Sequence, residues 1–170
     1  QDSAEASGMG HLPCLRIHKV GTAVDEDILI EGIVVSDFHS KNMEANPSVS
    51  YDKVDVTVND CTAYLESPDG RYGFRLRFDT PEDNVLARGT RLSLSLSGTV
   101  LTREENPERY TISSLVGENM VESAAGEAIP VKQRRISELT DDDVYTFVSL
   151  ENTEFLFKEG SYANVYENYS

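Results

Sequence analysis

A mainly β fold, a small barrel of five strands with one short helix between the third and fourth, is what the sequence predicts, and three observations carry it. Apolar and polar residues alternate at period two in residues 71–78 (RYGFRLRF) and again in residues 91–97 (RLSLSLS). That period puts one apolar face on a half-buried strand. Ser67-Pro68-Asp69-Gly70 lies between the first of these runs and an earlier alternating one. Its proline is pre-set for a turn and its glycine is free to take positive φ, so the two runs form a hairpin. Thr80-Pro81-Glu82-Asp83 then reads as a helix start, with a capping residue, proline at the first helical position and acids near the dipole's positive end.

Taken in order, the first strand is residues 28–36 (ILIEGIVVS), β-branched and centred on Gly32. A strand buried on both faces, or sharply bent, tolerates a missing side chain there. Residues 61–66 make the second strand. The third, residues 71–78, places Tyr72, Phe74, Leu76 and Phe78 on one face and Arg71, Arg75 and Arg77 on the other. The helix extends to Ala87, and Arg88-Gly89-Thr90 ends it. Residues 91–97 follow with Leu92, Leu94 and Leu96 opposite three serines, and residues 109–115 (RYTISSL) are the fifth strand. Five strands with a helix between the third and fourth is the order of the oligonucleotide/oligosaccharide-binding (OB) barrel, a closed or nearly closed Greek-key sheet.

Three regions result. Residues 1–27 are a flexible acidic leader and an N-terminal strand, residues 28–123 the OB-like barrel, and residues 124–170 a linker, a short helix capped by Thr140 and an aromatic strand over residues 146–158. The last 26 residues hold seven of the 14 aromatic side chains. A lone hairpin is marginal in water, so this segment either packs on the barrel or opens a second OB-like domain.

Composition bounds the role. A chain of 170 residues buries about 70% of its unfolded surface, enough for a proper core. No apolar run approaches the roughly 20 residues a spanning helix needs. With 30 acidic and 15 basic residues the formal charge is −15, which argues against a generic nucleic-acid binder. The charge is uneven: residues 1–66 carry a net −8 and residues 136–170 a net −7, whereas residues 67–109 balance seven arginines against seven acids. The neutral band is the barrel's central sheet.

Catalytic chemistry finds no motif. His11, His18 and His39 are scattered, no glycine loop cradles a phosphate, and no serine sits on a glycine-flanked elbow. Acidic pairs are plentiful, as chance dictates in an acidic chain, and sequence proximity does not set the separation a glycosidase needs. The reading is therefore a non-enzyme without cofactor or metal. A calcium ion on Asp25 and Asp27 is a lesser alternative to a solvated loop, because the D-x-D-x-D-G pattern is absent. Cys14 and Cys61 are open to two readings, a disulfide in an oxidising compartment or two half-buried thiols.

The best-defined surface candidate is the hairpin. With Phe74 and Phe78 inward, Arg75 and Arg77 project outward from the third strand and Tyr64 from the second, beside Thr62 and Glu66. These strands form the usual OB ligand face. Tyr64 can stack a sugar or base while an arginine contacts polar oxygens. The loop over residues 39–59, with Tyr51, borders the face and exceeds the usual connection length. The competing reading is structural, with Arg75 and Arg77 paired across strands to Glu66 and other acids.

A resemblance adds to this. The run Ile30-Glu31-Gly32-Ile33-Val34-Val35-Ser36-Asp37, the Glu66-Ser67-Pro68-Asp69-Gly70 hairpin, the Phe74-Arg75-Leu76 strand and Arg88-Gly89-Thr90 before a strand ending Ser97-Gly98-Thr99-Val100 resemble one group. It is the OB-like domain of unknown function in surface lipoproteins of Bacteroidetes-type bacteria. Ile136-Ser137-Glu138-Leu139 with Val148-Ser149-Leu150-Glu151-Asn152 is similar to the opening of a further OB-like domain in tandem modules of secreted bacterial proteins and nucleases. The resemblance implies an exported protein of the cell envelope, at the outer-membrane surface or in the periplasm, anchored through a lipid outside this chain. The N-terminus has no signal-peptide features, so the chain is either cytosolic or numbered after signal removal, and the missing initiator methionine favours the second. The function that follows is a non-catalytic binding or assembly module for a glycan or protein partner, or for a neighbouring domain. A nucleic-acid-binding accessory domain is the alternative, carried by fold analogy alone.

Overall fold

The computed structural model describes residues 21–40 and 56–154. They form a mainly β structure with nine strands and one α-helix of five residues, α1 (Val56–Asp60). Seven strands make one mixed sheet: β1 (Leu29–Val34), β2 (Thr62–Glu66), β3 (Gly73–Phe78), β4 (Arg91–Ser95), β5 (Val100–Glu104), β6 (Arg109–Leu115) and β7 (Met120–Ala124). The sheet order is β5-β6-β3-β2-β1-β4-β7. Every neighbouring pair is antiparallel except β3 with β6. A second sheet pairs β8 (Lys132–Arg134) and β9 (Val148–Leu150) in parallel. Among the described residues no helix is long and apolar enough to cross a membrane.

The period-two reading places the core. Phe74, Leu76 and Phe78 of β3 are buried, as are Leu92, Leu94 and Leu96 in and after β4, and they join Leu65, Ile112 and Leu115 in one apolar cluster. Burial of side chains of this size, about 1.5–3 kcal/mol each, is what holds the sheet curved around them. Gly32 marks a close approach: a Cβ there would stand 2.5 Å from Leu65 Cγ and 2.7 Å from the Glu66 carbonyl oxygen. The missing side chain lets β1 lie against β2 while also pairing with β4.

The five-strand expectation changes in number. β5 and β7 are additional strands of the main sheet, and the sheet is not a closed barrel, since no ladder joins its edges β5 and β7. The strand beginning as β4 beside β1 turns at residues 96–99 and continues as β5 beside β6. Residues 21–28 run along this bend. Gly98 N–H donates to the Val24 carbonyl at 2.8 Å, Val24 N–H to Thr99 at 2.8 Å, and Leu96 N–H to Ile28 at 2.9 Å.

The helix expected from Thr80 to Ala87 is a single 3-10 turn, Pro81–Asp83. Asn84 ends it: its buried side-chain amide donates to the Asp60 carbonyl at 2.8 Å and the Thr62 carbonyl at 3.0 Å, which secures the start of β2. The long loop holds Phe38–Ser40 as a 3-10 turn and α1, tied together by Asn59 Nδ2 donating to the Phe38 carbonyl at 2.8 Å. The helix expected after Thr140 is likewise one 3-10 turn, Asp141–Asp143. Cys61 is a buried free thiol, and Cys14 lies outside the described residues.

Candidate functional site

The hairpin places the predicted residues on one face. Ladder register sets Tyr64 opposite Arg75 and Thr62 opposite Arg77, and parallel pairing sets Arg75 beside Thr111 of β6. Arg75 donates from Nε to Thr111 Oγ1 at 2.9 Å and from Nη2 to Glu104 Oε2 at 3.0 Å. Arg109 forks onto the same carboxylate at 3.0 and 3.2 Å. Two guanidiniums thus share one acid: Arg109 meets Glu104 from the adjacent strand and Arg75 reaches it across β6, where the structural reading had Arg75 and Arg77 paired to Glu66 and other acids. Arg77 lies further along, where its charge reaches the Cys61 thiol and opposes the rise that burial gives it. Tyr51 lies outside the described residues.

Tyr64 is covered. The ring of Tyr145 stacks on it with centroids 4.8 Å apart and planes at 24°, and the Arg75 guanidinium is 5.9 Å from the Tyr145 centroid. Both are the geometries aromatic pairs and cation–π contacts favour. Residues 140–147 form a strap over β2 and β3 at this point. Gly73 is what lets it lie down, because a Cβ there would meet the Tyr145 carbonyl carbon and oxygen at 2.5 Å. Tyr145 itself has φ 61°, a left-handed conformation that a bulky side chain rarely takes.

Two charged anchors hold the strap. Glu66, expected on the exposed face beside Tyr64, is wholly buried beneath it and accepts the Phe147 backbone N–H on Oε2. Burial pushes the Glu66 carboxyl above its ordinary value, with the Phe147 N–H and the Lys132 charge pulling the other way. Its Oε1 is buried without a hydrogen-bond partner among the described residues. The second anchor is Asp143, a buried carboxylate that accepts Lys132 Nζ at 2.7 Å, Arg134 Nε at 3.3 Å and the Thr140 N–H at 2.9 Å. Burial alone would raise its pKa, but the bonds from Lys132 and Thr140, with the Lys132 and Arg134 charges, hold it below the usual carboxylate range. Lys132 also donates to the Arg71 carbonyl at 3.4 Å, and the Glu108 N–H donates to Asp141 Oδ2 at 3.0 Å, so the strap is sewn to the hairpin and to β6.

At the strap's last residue, the Arg88 guanidinium lies 4.6 Å from the centroid of the Phe147 ring. The predicted residues Tyr64 and Arg75 are thus brought together, joined by Glu66, Gly73, Arg88, Tyr145 and Phe147, which the sequence spreads over the second strand, the third strand, the end of the short helix and the C-terminal aromatic segment. The alternation at Tyr64 and Glu66 is the signal that put that pair on one side. Among the described residues no three His, Cys, Asp or Glu side chains gather as a metal site requires.

Comparison of the chain with protein families, known proteins and solved structures finds no match.

Proposed function

We propose that this chain is a non-catalytic binding or assembly module on an OB-like barrel, that it belongs to the cell envelope, and that its partner is a protein. What supports the OB-like reading is the strand path. β1, β2 and β3 form an antiparallel meander, β1 also pairs with β4, β4 carries on as β5, and β3 pairs in parallel with β6. Counting β4 with β5 as one bent strand leaves six, the five of the OB order and β7 as an added edge strand beside β4. The envelope location rests on the resemblance of the hairpin and strand motifs.

The observation that carries the protein partner is the Tyr64 and Arg75 face packed against polypeptide. An aromatic ring, a buried carboxylate and a side-chain-free backbone patch at Gly73 suit a peptide's rings, N–H groups and main chain. A glycan offers hydroxyls, and Arg75, one of the two arginines expected to contact them, ends on Glu104, which it shares with Arg109. The same pairing engages Arg75 and Arg109, which counts against a phosphate backbone as the ligand of this face.

The test is a binding screen against cell-envelope proteins and a glycan array, with Tyr64→Ala and Arg75→Ala as controls. A purified protein ligand weakened at least tenfold by Tyr64→Ala supports the reading. A confirmed ligand indifferent to both changes removes this face from the function, and a glycan weakened by both replaces the protein partner.

A further inference from the structure

The face of β2 and β3 grips residues 145–147 by three chemically different devices. Tyr64 and Arg75 hold the Tyr145 ring, Arg88 holds the Phe147 ring, and Glu66 takes the backbone N–H of Phe147. The gripping groups come from β2, β3 and the turn before β4, and none from the strap, so the face is built without its occupant. The two rings sit at positions i and i+2 of a turn in which Tyr145 has φ 61°, and each meets its own part of the face. The bond to Glu66 is made by a backbone N–H, a donor that a peptide partner also carries. Glu66 also keeps one carboxylate oxygen, Oε1, buried and without a hydrogen-bond partner among the described residues, an acceptor the present occupant leaves unused.

We propose that this face is a peptide clip whose ligand class is an aromatic-x-aromatic segment, that Tyr145-Thr146-Phe147 occupies it in cis, and that a partner presenting the same triad competes for it. The inference rests on the protein-partner reading above and names the chemistry of that partner. Competition is favoured by the backbone of Tyr145, whose φ of 61° is a strain that a free peptide need not adopt. A donor placed against Oε1 adds an interaction that the cis segment lacks.

The experiment uses the full chain and a synthetic peptide of residues 142–148 carrying Tyr145→Trp. The chain has no tryptophan, so the peptide's emission reports binding without background. The double variant Tyr145→Ala, Phe147→Ala empties the two ring sites, leaving only a main-chain N–H to compete for Glu66, and is expected to bind the peptide at least tenfold more tightly than the wild type, whose clip is filled. Adding Glu66→Ala or Arg88→Ala to the vacated chain is expected to weaken that binding at least tenfold. A vacated variant with a native β-sheet spectrum that leaves the peptide free overturns the clip, as does binding indifferent to Glu66 and Arg88. If the double variant does not fold, excess peptide on the wild type must speed exchange of the Phe147 amide without changing that of Leu76, and unchanged Phe147 exchange overturns the proposal. If the screen instead yields a protein ligand sensitive to Tyr64→Ala, the protein-partner reading survives the loss of the clip.

Discussion

Phe147 donates its backbone N–H to the carboxylate of Glu66, 81 positions earlier in the chain, and that carboxylate is wholly buried. A charged group so placed is costly unless bonded, and here one oxygen is bonded and the other is not. Glu66 therefore joins two regions while remaining sensitive to its protonation.

The sign of that sensitivity is fixed by the raised pKa. The folded state binds the Glu66 proton more tightly than the unfolded state, so its contribution to stability is complete below the unfolded value near 4.5 and is lost as pH rises through the folded value. Glu66→Gln keeps an acceptor for the Phe147 N–H and removes the buried charge. Urea unfolding from pH 4 to 8 is expected to show wild-type stability falling relative to Glu66→Gln as pH increases.

Asp143 behaves oppositely. Its lowered pKa means a contribution present above the unfolded value of 3.8 and lost as pH falls through the folded value. Asp143→Asn leaves Lys132 and Arg134 without their anion. Calorimetry at pH 7 is expected to show a loss toward the lower end of the roughly 3–5 kcal/mol typical of a broken buried pair, and the gap to wild type closes at low pH.

Two glycines mark close approaches, Gly73 under the strap and Gly32 within the sheet. Gly73→Ala puts a methyl against the Tyr145 carbonyl group and is expected to lift the strap, losing near-ultraviolet tyrosine ellipticity with the far-ultraviolet β spectrum intact. Gly32→Ala drives a methyl into Leu65 and the Glu66 carbonyl and is expected to cost the whole sheet about 1–3 kcal/mol, read by urea midpoint.

Leu76→Ala empties the centre of the core, where the side chain is fully buried. A loss of about 2–5 kcal/mol is expected by denaturant unfolding, with no selective effect on the strap.

Local pattern made the centre of the fold legible. Strands β3 and β4 are plain in the alternation of Phe74, Leu76 and Phe78 and of Leu92 and Leu94. The turn between β2 and β3 is plain in Ser67 to Gly70, where the Ser67 hydroxyl bonds Asp69 at 2.6 Å and Gly70 has φ 71°. β7 was not legible, because Val121, Glu122 and Ser123 are all exposed and carry no alternation. The short turn at Pro81 was not either, since Asn84 leaves the helical path to serve carbonyls more than twenty positions away. The site was half legible. Period two put Tyr64, Glu66 and Arg75 on one face, but whether that face meets water depends on residues 140–147, and no local signal in β2 or β3 reports a strap that distant.

Native-state hydrogen exchange at the Phe147 amide tests the central claim most directly. The account predicts slow exchange in the wild type, exchange at least tenfold faster in Tyr64→Ala, and an unchanged rate at Leu76 in both. Fast exchange at Phe147 in the wild type, or a rate indifferent to Tyr64→Ala, contradicts the claim that the β2 and β3 face holds this segment.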